Sequence, residues 1–272
     1  MHMNKSSITF FNGVRTRLLW PMPSPHLLYY YRILDKYLRF EPSDIVLDVG
    51  CGTAHLTSYI SKRVQMIYGL DISSQLISCL APNNTASLSF CCADICKYKN
   101  NNFVGRFSKI YSVHAFEHVL EGKSFFKSVR DFLSDDGIAL VIFPNSHEHG
   151  ERYFSSLSEL NDLIEDICLI ADIWVMRATR SHRLIRSGIS KIKHLVKKVL
   201  LIKPNDTEPK NEFNQTCYYN ILSKTKYLRY LYSFFIEKLL FLLKWHDFYH
   251  LSKTNDISEK EILILLRKNV VK

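Results

Sequence analysis

The sequence lacks three features that would place the chain in a membrane or outside the cell. Its most apolar stretch, residues 226–245, is broken by charged residues before it reaches the roughly 20 residues that a spanning helix needs. The seven cysteines include no C-x-x-C pair, so we expect neither a disulfide framework nor structural zinc. The residues before Pro25 show no cleavable leader pattern. These absences predict a chain that stays in the reducing cytoplasm.

Basic residues outnumber acidic residues, and the excess is unevenly placed. The chain holds 36 Lys and Arg against 26 Asp and Glu, and the positive excess lies in the last third. With 272 residues and 47% hydrophobic content, the chain can bury a core as one domain with an elaboration. The charge pattern therefore separates a nearly neutral first part from a basic last third.

The most informative segment is residues 45–54, which read IVLDVGCGTA. A buried strand is predicted to run directly into a turn that contains Gly50 and Gly52, and the apolar spacing after it predicts a helix. Such a turn allows the backbone to approach a nucleotide cofactor closely. Asp48 disfavours a pyrophosphate ligand because its charge would repel phosphate, whereas it suits a cationic cofactor.

This segment resembles the first motif of class I S-adenosylmethionine-dependent methyltransferases, D-x-G-x-G-x-G, with Ala54 in place of the last glycine. Four later segments, ending at residue 145, resemble the other motifs of that family in the same order. The resemblance implies that Asp71 binds the ribose hydroxyls, Asp94 binds the adenine amino group and Ile95 covers the ring. The implied cofactor is S-adenosylmethionine, and its implied binding residues are Asp48, Gly50, Cys51, Gly52, Asp71, Ile72, Asp94, Ile95 and Ser112.

The same resemblance implies the fold and the domain organisation. The fold would be an α/β, Rossmann-like, seven-stranded, mostly parallel sheet with helices on both faces, and its last strand would be antiparallel and inserted in the sheet. The predicted parts are an N-terminal helical extension (1–44), the cofactor-binding core (45–178), a basic helical insertion between strands six and seven (179–258) and the final strand (259–272).

Four histidines are candidates for the base that removes a proton from the acceptor. His114 and His118 follow the fourth predicted strand, and His147 and His149 follow the fifth. Both loops lie at the carboxyl edge of the sheet, where open α/β sheets bind ligands. We expect at least one of the four to face the acceptor, with His118 and His147 ranked first.

One pattern at this place points to different chemistry. Residues 114–118 spell H-x-x-E-H, which is a zinc-protease pattern. That pattern requires the middle of a long helix, whereas the segment lies at a predicted junction between a strand and a helix. No metal site is therefore predicted.

The basic insertion contains two predicted helices. Residues 185–200 combine an apolar stripe at helical spacing with many lysines and arginines, and residues 226–245 are mostly apolar or aromatic. Three interpretations stay open: a cap that packs on the sheet, peripheral contact with an anionic membrane or a lipid-linked substrate at the inner face, and contact with nucleic acid, which is the least favoured.

The acceptor class is predicted from two short segments. The end of strand four reads SVHA, at 112–115, and lacks the N/D-P-P-Y/F sequence of base-methylating enzymes, so nucleic acid is disfavoured. The turn Phe143-Pro144-Asn145 resembles members that methylate hydroxyls of sugars, quinone precursors or lipids. We predict O-methylation of a small-molecule or lipid-linked saccharide acceptor. A nucleic-acid methyltransferase and a non-catalytic Rossmann-like module that binds through the basic third remain alternatives.

Overall fold

The computed structural model describes residues 25–145, 153–165, 167, 169–178, 249–253, 256–257 and 260–268. Within these ranges eight strands form one sheet: β1 (Ile45–Val49), β2 (Met66–Asp71), β3 (Leu88–Cys92), β4 (Phe107–Val113), β5 (Leu133–Asn145), β6 (Leu169–Ala178), β7 (Tyr249–Ser252) and β8 (Lys260–Lys268). The helices are α1 (Pro25–Leu38), α2 (His55–Ile60), α3 (Ser74–Leu80), α4 (Gly122–Phe132) and α5 (Leu157–Glu165), with short 3-10 helices at Ala81–Asn83 and Phe116–His118.

The strand order places the carboxyl ends of five neighbouring strands side by side. The order is β3-β2-β1-β4-β5-β8-β6-β7, and β1 to β5 pair in parallel. β8 runs antiparallel between β5 and β6, with Leu263 opposite both Ile142 and Trp174. The predicted Rossmann-like, mostly parallel fold with an inserted antiparallel last strand is therefore confirmed.

The described residues contain eight strands rather than the predicted seven. The additional strand, β7, follows β6 at the edge of the sheet and falls within residues 179–258, which the sequence predicts to be helical. A strand of four residues is too short to show a period of two in the sequence. Both predicted helices of the insertion lie outside the described residues, so they stay predictions. None of the helices in the described ranges is long and apolar enough to cross a membrane.

Helix α1 packs over the middle of the sheet and lies within the helical extension predicted at 1–44. Tyr30, Leu34 and Leu38 are buried along one stripe, and the helix contacts β4, β5 and α2. The helix ends before Arg39, which adopts a left-handed conformation with φ of 48°. This helix brings a tyrosine to the carboxyl edge of β4.

A cluster of phenylalanines supports the segment that follows β4. Phe116 is fully buried, and its ring lies 4.9 to 5.0 Å, centroid to centroid, from the rings of Phe125, Phe126 and Phe143. The contacts join the 3-10 helix at Phe116–His118 to α4 and β5. The histidines on either side of Phe116 are thereby carried on a firmly packed segment.

Candidate active site

A pocket opens at the carboxyl ends of β1 to β4. This is the edge at which open parallel sheets bind ligands. It brings together seven of the predicted site residues: Gly50, Asp71, Ile72, Asp94, Ile95, His114 and His118. The remaining lining residues are Val49, Leu70, Ala93, Ala115, Val119 and Phe125. The pocket therefore has two acids and two imidazoles on largely apolar walls.

Asp71 holds the glycine loop against the end of β2. Its Oδ2 accepts a hydrogen bond from the Gly52 amide at 2.8 Å, and its Oδ1 accepts one from the Ser73 amide at 2.9 Å. The Gly50 amide also donates to the Leu70 carbonyl at 2.7 Å. Each carboxylate oxygen can accept a further hydrogen bond, so Asp71 can shape the loop and still receive a ligand hydroxyl.

Gly50 is required by the neighbouring chain segment. It has φ of 78°, and a Cβ placed there would lie 2.3 Å from the Cβ of Ala115. The sequence predicts that this glycine makes room for a ligand. The structure adds that it makes room for the segment after β4, which carries His114. The loop and the histidine segment are thus packed against each other.

Asp48 lies behind the loop, inside the protein. Its Oδ2 accepts hydrogen bonds from the Thr57 hydroxyl at 2.6 Å and from the Tyr111 hydroxyl at 2.7 Å. Burial raises the pKa of the Asp48 carboxyl from 3.8 to about 7, although the two hydroxyls oppose that rise. The side chain is not among those that line the pocket. Its observed contacts join β1, α2 and β4, and direct contact with a cofactor stays a prediction.

The raised pKa of Asp48 predicts a pH-dependent stability. The native carboxyl keeps its proton up to pH about 7, whereas the unfolded one releases it near 3.8, so this stabilisation is full below pH 3.8 and is lost as the pH rises from 3.8 to 7. The whole loss is on the order of 4 kcal/mol. We expect Asp48→Asn to flatten this part of the profile, as measured by urea unfolding between pH 4 and 8.5. Equal pH dependence in both proteins would contradict the burial argument.

Three other predicted cofactor residues lie close to the pocket without lining it: Cys51, Gly52 and Ser112. Cys51 is buried, and burial together with the charges of Asp48 and Asp71 raises the pKa of its thiol. Gly52 has φ of 52°, so its left-handed backbone turns the loop toward Asp71. Ser112 is buried near the end of β4. Cofactor contacts of these residues stay predictions.

His114 has the most complete environment of the predicted bases. Its Nε2 lies 2.6 Å from the Tyr30 hydroxyl and 2.9 Å from Glu261 Oε1, and the Tyr30 hydroxyl donates to the same Oε1. The His114 side chain remains about one-third exposed and also lines the pocket. The imidazole therefore lies between the pocket and a tyrosine–carboxylate pair.

His118 lies on the same side of the pocket and near a buried acid. Its Nε2 is 3.8 Å from Glu117 Oε1, and the same oxygen is 3.7 Å from Nδ1 of His114. Within the part of the chain that the structure describes, no group of three or more acids, histidines or cysteines is arranged to hold a metal. His147 and His149 lie outside the described residues, so their role as bases stays a prediction.

The family described as "Methyltransferase domain" matches residues 47–141, which cover the strands and loops that form this pocket. This region is a class I S-adenosylmethionine-dependent methyltransferase domain. The resemblance of the five sequence motifs is therefore confirmed at the level of the family.

Relatives and solved structures show how far the similarity to the methyltransferase domain extends. The chain is 27% identical over 128 residues to a probable cobalt-precorrin-6B C(15)-methyltransferase (decarboxylating) of Methanococcus maripaludis, covering 45% of this chain and 65% of that protein. The fold is similar to that of Haemonchus contortus phosphoethanolamine N-methyltransferase 2, in complex with phosphomonomethylethanolamine and S-adenosylhomocysteine. That match has a TM-score of 0.59 and 16% identity, and it covers 97% of this chain and 58% of the other. The YcgJ protein of Bacillus subtilis matches with a TM-score of 0.51 and 15% identity, covering 89% and 98% of the two chains.

The pocket of the methyltransferase domain fits S-adenosylmethionine. Asp71 and Asp94 both line the pocket with carboxylates, which can accept hydrogen bonds from hydroxyl and amino groups; their predicted roles toward ribose and adenine stay predictions. Asp94 itself accepts a hydrogen bond from the Cys96 amide at 3.0 Å, which fixes its orientation. Ile72 and Ile95 supply apolar walls for a flat ring. The two acids also suit a cofactor that carries positive charge.

Sequence analysis missed two residues beside the candidate base of the methyltransferase domain. Tyr30 lies in the helix before the first strand, and Glu261 lies at the start of the last strand. They are 84 and 147 residues from His114 in sequence and belong to no motif. For Glu261 the sequence offered one indication, its position: a last strand that runs antiparallel to its neighbours begins at their carboxyl edge, where the pocket lies.

Proposed function

We propose that this protein transfers the methyl group of S-adenosylmethionine to an acceptor whose proton is taken by His114. One observation carries the proposal. The imidazole of His114 lines the cofactor pocket while Glu261 and Tyr30 hold its Nε2. A histidine held by a carboxylate is a suitable general base at neutral pH. The geometry favours His114 over His118, which the sequence ranks higher.

The residues of the chain would contribute binding, orientation and proton removal. When bound, S-adenosylmethionine supplies a methyl group that its positively charged sulfur already activates. Asp71 and Asp94 would hold the nucleoside part, and the buried segment after β4 keeps His114 close to it. The acceptor O–H bond breaks as its proton passes to His114. The oxygen electron pair forms the new C–O bond, and the C–S bonding pair stays with sulfur.

A hydroxyl acceptor is the primary candidate because a hydroxyl keeps its proton at neutral pH and needs a base. We propose that this hydroxyl belongs to a small-molecule or lipid-linked saccharide. The basic insertion predicted at 179–258 supports this source, since clustered lysines and arginines favour anionic groups and anionic membrane surfaces. Nucleic acid is the less favoured acceptor.

An amine is the second candidate. Two carboxylates, Glu117 and Glu261, lie within 4 Å of the His114 ring nitrogens, and such charges suit an ammonium group. The names of the similar proteins point to methylation of carbon in one case and of nitrogen in the other. They support methyl transfer as the reaction and leave the acceptor atom to experiment.

The acceptor can be identified with S-adenosylmethionine labelled with ¹³C in the methyl group. The protein is incubated with small-molecule, glycan and lipid fractions of its source cells, and the carbon chemical shift of the product distinguishes O-, N- and C-methyl groups. We expect an O-methyl product that the variant His114→Asn does not form. An N-methyl product would favour the amine candidate. No labelled product with any fraction would contradict the proposal and favour a non-catalytic module.

Cofactor binding by Asp71 gives a separate test. Asp71→Asn removes the charge that would receive the ribose hydroxyls, and we expect the affinity for S-adenosylmethionine to fall by about 1.5 to 3 kcal/mol. Isothermal titration calorimetry measures the change. Asp172→Asn is the matched control, because Asp172 pairs with Lys253 and Arg267 at the surface of β6. Unchanged affinity in a folded Asp71→Asn protein would contradict the ribose assignment.

A further inference from the structure

Three side chains from distant parts of the chain meet around one nitrogen. His114 Nε2 is 2.6 Å from the Tyr30 hydroxyl oxygen and 2.9 Å from Glu261 Oε1. The hydroxyl of Tyr30 also donates a hydrogen bond to Glu261 Oε1. A helix, the loop after β4 and the start of β8 contribute one residue each. The hydroxyl proton of Tyr30 and any proton on Nε2 must therefore be shared among three atoms: the Tyr30 oxygen, Glu261 Oε1 and His114 Nε2.

Only one arrangement of these protons satisfies all three contacts. An ionised carboxylate only accepts hydrogen bonds, and the single proton of the Tyr30 hydroxyl goes to Glu261. Nε2 must then carry a proton that it donates to the carboxylate and the phenol oxygen. The reverse tautomer would place the lone pair of Nε2 against Glu261 Oε1 at 2.9 Å, which is repulsive. A neutral His114 ring therefore has its lone pair on Nδ1. Glu117 Oε1 lies 3.7 Å from Nδ1, beyond hydrogen-bond distance, so this carboxylate opposes the assignment less strongly than Glu261, at 2.9 Å from Nε2, supports it.

Each of the three residues is held by the fold. The amide of His114 donates to the Ile142 carbonyl at 2.9 Å, and His114 has a left-handed backbone with φ of 56°. Glu261 has a strand neighbour on each side, because it lies opposite Pro144 of β5 and Met176 of β6. The arrangement is thus preorganised before any acceptor arrives.

Helix α1 is anchored at a second point beside Tyr30. The hydroxyl of Tyr31 donates to the His55 carbonyl at 3.0 Å, and its ring stacks on Tyr59 with centroids 4.2 Å apart. Tyr30 thus contacts the proposed base, His114, and the next residue, Tyr31, contacts the start of α2, which follows the glycine loop. The helix is fixed against the cofactor side of the domain while it holds the base.

We infer that Tyr30 and Glu261 are positioning residues that hold His114 in the Nε2–H tautomer, so that Nδ1 accepts the proton of the acceptor. This inference rests on the proposed function for its consequence, although the tautomer itself does not depend on turnover. When Nδ1 takes up a proton, the resulting imidazolium keeps its Nε2–H bond to the Glu261 carboxylate, which stabilises the charge. The N-terminal helix is therefore part of the active site.

Two-bond ¹⁵N–¹H spectra of the full chain with ¹⁵N-labelled histidine test the inference. The chain has 11 histidines, and His114→Asn identifies the signal by its loss. We expect a pyrrole-type Nε2 and a pyridine-type Nδ1 for His114. Glu261→Val should reverse the tautomer, because the Tyr30 hydroxyl would then donate to Nε2. Tyr30→Phe should retain the original tautomer, because Glu261 still accepts from Nε2.

A double variant and a matched control complete the test. Glu261→Val combined with Tyr30→Phe removes both groups that contact Nε2, so we expect the preference for the Nε2–H tautomer to be lost. Tyr31→Phe removes a hydroxyl from the adjacent residue, which is equally buried, and should leave the His114 signals unchanged. A wild-type Nδ1–H tautomer, or the same shift in Tyr31→Phe as in Glu261→Val, would overturn the inference. The wild-type spectrum alone decides it if Glu261→Val fails to fold.

The test separates this inference from the proposed function. The expected tautomer without any labelled methyl product would leave the positioning role standing and contradict the function. A labelled product from a protein whose His114 carries its proton on Nδ1 would support the function and overturn the positioning role.

Discussion

Replacing His114 by Asn is expected to lower kcat by about 10²- to 10⁴-fold, which is the usual contribution of a general base. Asn is the suitable replacement because His114 has φ of 56°, and Asn tolerates the left-handed region better than most residues. The measurement is the rate of transfer from labelled S-adenosylmethionine to the acceptor found by product analysis. The affinity for the cofactor, measured by calorimetry, should change little.

His118→Asn is the matched comparison for this variant. His118 lines the same pocket four residues later, but its Nε2 lies 3.8 Å from Glu117 Oε1, whereas Nε2 of His114 lies only 2.9 Å from Glu261 Oε1. We expect a smaller loss of kcat than in His114→Asn. A larger loss in His118→Asn would instead identify His118 as the base, in agreement with the ranking from the sequence.

Replacing Gly50 by Ala is expected to destabilise the protein by about 2 to 5 kcal/mol, from the left-handed backbone and from overpacking together. The new Cβ would lie 2.3 Å from the Cβ of Ala115, and neither segment can withdraw easily, because the Gly50 amide bonds to Leu70 and His114 bonds to Ile142. Urea unfolding measures the loss. Any folded fraction should also bind S-adenosylmethionine more weakly, since the loop must shift.

Gly105→Ala provides the control for the backbone contribution. Gly105 also has a left-handed backbone, with φ of 65°, and no atom lies within 4 Å of a Cβ built there. We expect it to destabilise the protein by only about 1 to 2 kcal/mol. An equal decrease in the free energy of unfolding in Gly50→Ala and Gly105→Ala would show that Ala115 can move away from the new Cβ without destabilising the protein.

The common position of the predicted cofactor residues at one pocket could be predicted from the sequence because these residues lie at the ends of successive strands. Gly50 follows β1, Asp71 ends β2 and Asp94 lies two residues after β3, and parallel strands place such residues along one edge. The strands and the helix before them follow from the same local patterns, which depend on residues within about 10 to 20 positions of one another. The inserted antiparallel last strand was implied only by the resemblance to the family, because its neighbours β5 and β6 are distant in sequence.

Asp48 shows where a local pattern is incomplete. Its position in the motif predicts a charge that faces the cofactor, whereas the structure joins it to Thr57 and Tyr111 inside the protein. The direction of a side chain at the end of a strand depends on which neighbours reach it. Tyr111 lies 63 residues away in sequence, so this partner becomes visible only when β4 pairs with β1.

The sequence by itself predicted the family, the cofactor and the succession of strands along the chain, because the motifs and apolar runs that indicate them are formed by residues close together in the chain. Tertiary structure decided which histidine has a carboxylate and a phenol at its ring. Tyr30 comes before the first strand and Glu261 begins the last, and only the packing of α1 and the insertion of β8 bring them to His114. Contacts over such sequence separations are set by the topology of the sheet and leave no periodic trace in the residues themselves.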